Sequence, residues 1–417
     1  MLPPSIAERP RTFEPTEPDL LQVSDTIYIA RGGYGVSSSV MVRTDEGRVI
    51  VNCWRAEGGQ RLREKYDAVD PSPIRYLIFT QGHGDHFGGA AAFTGGSCEV
   101  IGHAEQLRSG VDWQLFAKLK SRRLLAWMPP HGWFPPVSRS NLAASIPDVD
   151  IHVDDEWSTT VGGREIRIFA MPGAESNEEL IVWIPDEKTL IAGNLFGAIF
   201  GNIPNLQTLR GDRIRDPQLI LDSFDRVLEL APDVLVVGHH GPIVGADAVR
   251  ESVTRVRDGL QYVHDATVAG LEAGLPVHQL MREIQPPDDL QVLETYGTVR
   301  WAVRAIATHY LGWFEGISTL ELYGTDPQDL HADLIALAPS VDSVLARANE
   351  LLAADQALRA LQLVEAVIRS GNKNDDAMAL YVACHEHLLD DGHEPNLWLD
   401  PWLRYQAAEA AKGTLPT

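Results

Sequence analysis

Residues Thr80-Gln81-Gly82-His83-Gly84-Asp85-His86-Phe87-Gly88-Gly89 place two imidazoles and one carboxylate within four positions, His83 to His86. Neutral imidazole nitrogen and carboxylate oxygen are the usual ligands of Zn2+ and its neighbours. The interleaved glycines let the backbone turn tightly enough for such side chains to converge. A cation held this way lowers the pKa of water toward neutrality, so the chemistry suggested is metal-assisted hydrolysis. The bland alternative is a polar turn after a strand.

The loop follows IRYLIFT (74–80), a run of strand length that is apolar but for Arg75 and the closing Thr80 and that suits a buried strand. Around it the pattern is mixed. DTIYIA, SSSVMVRT and RVIVN read as strands separated by turns, and 58–68 reads as a helix. Further strands are expected at CEVIGH, REIRIFAMPG, LIVWIP, KTLIAGN and DVLVVGH, with a helix at about 217–230 before the last. Strands alternating with helices, with chemistry at strand ends, imply an α/β sandwich. Beyond about 245 no strand pattern appears. Helical periodicity runs over 247–283, 288–312, 327–336, 339–352, 355–370 and 374–390. The reading is a loosely ordered arm at 1–20, an α/β domain at 21–250 and an all-helical domain at 251–417.

The net charge of −23 argues against nucleic acid and anionic membrane as partners. An anionic substrate would then need a local cluster of Arg or Lys. The three cysteines, Cys53, Cys98 and Cys384, are widely spaced and suggest neither a disulfide framework nor a zinc ribbon. The N-terminal stretch lacks an apolar core of signal-peptide length. No run approaches the roughly 18 apolar residues of a membrane span. A cytoplasmic protein is expected. The segment Leu119–Pro136, with Arg122, Arg123, Trp127, Trp133 and Phe134, is basic and aromatic; it fits either a substrate lid or a packing surface. Trp301, Tyr310, Trp313 and Phe314 fit helix packing or a dimer interface equally well.

The His83-Gly84-Asp85-His86 loop resembles the HxHxDH signature of the metallo-β-lactamase superfamily. That resemblance implies an αββα sandwich and two metal positions. By it His83 belongs to the first metal, and Asp85 and His86 to the second. Gln81 stands where the signature has its first histidine. Met171-Pro172-Gly173-Ala174-Glu175 resembles the PG[TA]E segment of alkyl sulfatases, which makes Glu175 a ligand of the first metal. Val237-Gly238-His239-His240-Gly241-Pro242 resembles the late histidine motif; His239 is favoured as ligand, with His240 lining the pocket as an acid or substrate contact. The superfamily's bridging carboxylate falls at Gly193 or Asn194. Asp85, His86 and His239 remain a complete set.

Thr208-Leu209-Arg210-Gly211-Asp212-Arg213-Ile214-Arg215-Asp216 is similar to the TLRGxxxRD segment of alkyl sulfatases, with Asn205 five residues before Arg210. The resemblance implies that Asn205 and Arg210 grip a sulfate, a tetrahedral oxyanion suited to a fork of N–H donors. The competing reading pairs these arginines with Asp212 and Asp216. Tyr296-Gly297-Thr298-Val299 and Tyr310-Leu311-Gly312-Trp313-Phe314-Glu315-Gly316 are similar to the family's dimerisation domain, which implies a homodimer through the helical region. The family's C-terminal sterol-carrier-like domain is expected to be missing. The expectation is a hydrolase of alkyl or aryl sulfate esters, a small anionic organic substrate, using one or two Zn2+, with Fe2+ or Mn2+ as alternatives. Three other readings remain. The first is a mononuclear non-haem iron oxygenase, which uses the same two-His, one-carboxylate set. The second is a hydrolase of another ester or lactone, and the third a degenerate ligand-binding dimer.

Overall fold

The computed structural model describes residues 19–31, 36–105, 117–132 and 148–415. They divide into two compact units, one within 1–122 and 137–310, the other within 123–136 and 311–417.

The first unit is built on two sheets. β1 (Leu20–Gln22), β2 (Ile27–Ala30), β3 (Ser39–Thr44) and β4 (Gly47–Val51) form an antiparallel meander. After helix α1 (Ala56–Val69), β5 (Ile74–Ile78) lies parallel to β4. The four-residue helix α2 (Gly84–Phe87) follows. β6 (Glu99–His103) and, after helix α3 (Ala117–Arg123), β7 (Ile151–Val153) complete a seven-stranded sheet in chain order. The second sheet has six strands in the order β13-β12-β11-β10-β9-β8. These are β8 (Glu156–Val161), β9 (Arg164–Ala170), β10 (Leu180–Ile184), β11 (Thr189–Gly193), β12 (Val234–Val237) and β13 (Ile243–Val244), with α4 (Pro217–Leu230) between β11 and β12.

Alternation along the strands sorts the side chains. Val40, Val42, Val49, Val51, Ile78 and Ile101 of the first sheet meet Ile166, Ile168, Leu180, Val182 and Ile191 of the second in one inter-sheet core. Met41, Ile50 and Leu77 point the other way, onto Leu62 and Tyr66 of α1. Ile181, Trp183, Leu190 and Leu235 face α4 and the helices α5 (Ala246–Glu272), α6 (Val277–Glu283) and α7 (Val299–Leu311). The layers run helix, sheet, sheet, helix, the αββα sandwich.

The change to helical composition at 250/251 falls inside α5. Val249, Val253, Val256, Leu260 and Val263 on this helix, and Val299, Ala302, Val303 and Ile306 on α7, fill the same core as the second sheet. The first compact unit therefore runs to Tyr310. The single helix expected over 247–283 is two, broken where Gly274 takes φ +74 and Pro276 caps α6. The helix expected over 288–312 starts only at Val299, which leaves Tyr296 in a turn.

The second unit holds α8 (Leu330–Leu337), α9 (Val341–Ala353), α10 (Ala357–Arg369), α11 (Asp375–Leu389) and α12 (Leu399–Ala411). Trp127, from the segment that sequence left between lid and packing roles, stacks on Trp402 of α12 and donates to the Trp398 carbonyl at 2.8 Å. Trp133 and Phe134 of that segment lie outside the described residues.

Close backbone contact seats the ligand loop. A Cβ on Gly89 would lie 2.1 Å from the Cys53 carbonyl oxygen and 2.8 Å from Cα of Gly59 on α1. Gly89→Ala must therefore displace backbone, not a flexible side chain. A loss of about 3 kcal/mol is expected, read as a lower urea midpoint. An unchanged midpoint would contradict the packing.

Candidate metal centre

The ends of four strands converge. β4 leads into Asn52, β5 into Thr80 and the ligand loop, β11 into Asn194, and β12 into His239. β4 and β5 are parallel, as are β11 and β12, so their carboxyl ends open on the same edge.

Asn52, at φ +60, turns its side chain back under the loop. Its Oδ1 accepts from the Thr80 amide at 3.0 Å and from Thr80 Oγ1 at 3.2 Å. Thr80 Oγ1, its proton so used, accepts from His86 Nδ1 at 3.0 Å. This direction leaves His86 Nε2 without a proton and aimed at the site, the tautomer that a ligating histidine needs. Cys53 N donates to the His86 carbonyl at 2.8 Å and Ser37 Oγ to that of Asp85 at 2.7 Å.

Asp85 Oδ2 stands 3.8 Å from His86 Nε2 and 3.6 Å from His239 Nε2. The three ligand atoms lie within 4.8 Å of one another, the one such His/Cys/Asp/Glu group among the described residues. That spacing suits three ligands at about 2.0–2.2 Å from a common ion. Burial pushes His86 down to about 3, against the pull of Asp85, so its ring is neutral and ready to coordinate. Burial opposes ionisation of Asp85, but His86, Arg55, His239 and His83 outweigh it and hold the carboxyl well below the usual range. Gln81, fully buried, brings Nε2 to 2.7 Å from His86 Nε2, while its Oε1 has no partner. Such an orphaned oxygen beside the triad fits a cation, which a turned amide would address. His240 is buried beside His239 but outside the triad.

His83 and Glu175 are brought together elsewhere in the site. Glu175 Oε1 accepts from the Tyr296 hydroxyl at 3.1 Å and from Arg210 Nη2 at 3.3 Å; Oε2 accepts from Asn194 Nδ2. Arg210 Nη2 also lies 3.5 Å from His83 Nε2. Burial opposes ionisation of Glu175, yet His83, Arg210 and His239 keep its carboxyl below the ordinary value. Burial lowers His83, with Arg210 reinforcing it. Of the two positions open for a bridging group, Gly193 points its missing side chain at Thr80 Oγ1, 2.5 Å from where a Cβ would be. Asn194 is the residue that faces the site.

Residues 32–239 match the family profile for the metallo-beta-lactamase superfamily, and 277–398 that for alkyl sulfatase dimerisation. The chain belongs to the metallo-beta-lactamase superfamily. A linear primary-alkylsulfatase of Pseudomonas sp. is 27% identical over 340 residues, covering 74% of this chain and 62% of that protein. An alkyl/aryl-sulfatase of Saccharomyces cerevisiae is 23% identical, covering 92% and 62%. The chain thus spans about three fifths of the length of these curated relatives. Among solved structures, a stereoselective inverting sec-alkylsulfatase from Pseudomonas sp. superposes with a TM-score of 0.78 at 20% identity over 95% of this chain and 66% of that one, a likeness of fold.

Within this superfamily fold the 205–215 loop is closed upon itself. Thr208 Oγ1 exchanges hydrogen bonds with Asp212, at 3.2 Å to Oδ2 and 3.1 Å from its amide, and Gly211 turns the chain at φ +87. Arg210 Nε is paired with Asp212, whose Oδ2 is also 3.7 Å from Arg215 Nη2; the ion pairing weighed from sequence is formed. Asp216 instead caps α4, accepting from Gln218 N at 2.9 Å. Asn205 is buried, and neither atom of its carboxamide has a hydrogen-bond partner.

Sequence reasoning missed Tyr296 and Asn52. Tyr296 was absorbed into a dimerisation motif. Asn202 sets it instead, accepting at Oδ1 from the Tyr296 amide at 2.8 Å. Gly297 lets this turn close on the Asn205 backbone, since a Cβ there would sit 2.9 Å from the Ile203 carbonyl oxygen.

Proposed function

We propose that the chain hydrolyses an organic sulfate ester at a divalent cation held by Asp85, His86 and His239. When bound, the cation supplies Lewis acidity, lowering the pKa of water toward neutrality. The observation that carries the sulfate reading is Asn205. A buried carboxamide with neither atom satisfied costs about 1–3 kcal/mol for each lost partner and is retained where a ligand supplies the bond. It lies on the loop that carries Arg210, so an amide donor and a permanent cation serve one oxyanion. The alkylsulfatase relatives support the same substrate class. Asp85 carries the negative charge of the triad, His86 and His239 its imidazole nitrogens, and His240 lines the pocket as an acid or substrate contact.

Zn2+ suits the donor set best, with Fe2+ or Mn2+ as alternatives. A single two-His, one-carboxylate triad is also the ligand set of non-haem iron oxygenases, and this keeps that reading second. A homodimer through the helical region fits the matched dimerisation profile and the exposure of Trp313, Ile317, Leu320, Tyr323 and Leu337 in the second unit. The three cysteines are unpaired, which fits a reducing cytoplasm. No helix among the described residues is long and apolar enough to cross a membrane.

The deciding assay is inorganic sulfate released from dodecyl, octyl and 4-nitrophenyl sulfate by zinc-loaded protein, quantified by ion chromatography. Release that disappears with a chelator and returns with zinc is expected. Oxygen uptake by iron-loaded protein without sulfate release would move the assignment to the oxygenase.

A further inference from the structure

The pair His83 and Glu175 is where the superfamily resemblance puts a first metal, and the residues around it do not fit one. Glu175 accepts from three organic donors, the Tyr296 hydroxyl, Arg210 Nη2 and Asn194 Nδ2, and one of them is a fixed cation. His83 Nε2 faces the same guanidinium nitrogen at 3.5 Å. A guanidinium has no lone pair to offer a metal and cannot lose its charge, so this corner already contains a cation. Arg210 is not a surface arm that could swing away. Its side chain is 6% exposed and is tied through Nε to Asp212 in the closed 208–212 loop.

The other two positions that would complete the set are neutral amides, not an imidazole and a carboxylate. The Gln81 amide lies on His86 Nε2 at 2.7 Å, on the side of the Asp85 triad. Asn194 Nδ2 reaches both Glu175 and, at 3.1 Å, His239 Nε2. A carboxylate at that point would attract two cations; an amide donor links the two halves of the site without adding negative charge. A second divalent ion on Glu175 would have to share that one carboxylate with the Arg210 guanidinium, with no carboxylate at Asn194 to offset the added charge.

We propose that the chain binds one metal ion, at Asp85, His86 and His239, and that the Arg210 guanidinium, locked on Glu175 and joined to His239 through Asn194, stands in place of a second. The inference rests on the hydrolase reading for its metal triad but not on the substrate. Paired as it is with Glu175 and Asp212, that internal cation offers an anionic ester fixed N–H donors and a permanent charge where a second metal would otherwise stand.

The test is zinc stoichiometry. Chelator-treated protein titrated with Zn2+ in a calorimeter, with elemental analysis after desalting, should show one equivalent per chain; two equivalents, or none, would overturn the proposal. His83→Ala is expected to keep that equivalent with affinity within about threefold, because His83 faces a guanidinium and not the ion. Loss of zinc from His83→Ala protein that keeps the parent's circular dichroism would also overturn it. One equivalent bound with no sulfate release would sink the sulfatase reading and leave the single-metal assignment standing.

Discussion

Asp85→Asn should strip the protein of its bound cation and lower sulfate release by about 10³-fold or more. Asp85 is the one anionic member of the triad, with Oδ2 at 3.8 and 3.6 Å from the two histidine nitrogens. The amide keeps the shape and removes the charge. Metal-borne stabilisation of developing charge is worth several kcal/mol, and about 1.4 kcal/mol is a factor of ten in rate. Elemental analysis and initial rates on the same preparation read both consequences. A variant that keeps its zinc and the parent rate would remove Asp85 from the centre.

Asn205→Ala carries the second large expectation, a loss of about 10²–10³ in kcat/KM toward sulfate esters, the usual consequence of deleting one oxyanion donor. Its folding should be unharmed. The Asn205 carboxamide makes no hydrogen bond within the protein, so truncation removes a buried unsatisfied group instead of creating one. Loss of activity with an equal or higher urea midpoint is the signature of a ligand-binding residue. A parent-like kcat/KM would leave the unsatisfied amide without a function.

The strands that frame the site were legible because their physics is local. IRYLIFT suits a buried strand by its length and apolar content, and the glycine-spaced His and Asp after it suit metal ligands better than a polar turn. The helix expected at about 217–230 is α4, with Pro217 at its start and Asp216 as its cap. The fate of Arg210 was not legible to the same degree. Asp212 lies two residues away and could be weighed as a partner, but Glu175 and Tyr296 arrive from distant segments. Asn52 looked like the tail of a strand, since nothing in RVIVN shows that its side chain folds back under a loop near residue 80. The extent of the first unit was hidden for a related reason. An amphipathic helix declares that one face is covered and does not say by what.

The turn at Tyr296 also limits how this chain could exchange parts with its relatives. It lies inside the stretch matched as a dimerisation domain, yet its hydroxyl sits on Glu175 in the first unit, and α7 behind it lines the core of the second sheet. Recombination at residue 250 would separate a site residue from its carboxylate and bare Val303 and Ile306. A viable chimera would have its crossover after Tyr310, so the unit that shuffles intact carries the first quarter or so of its neighbour's family motif with it.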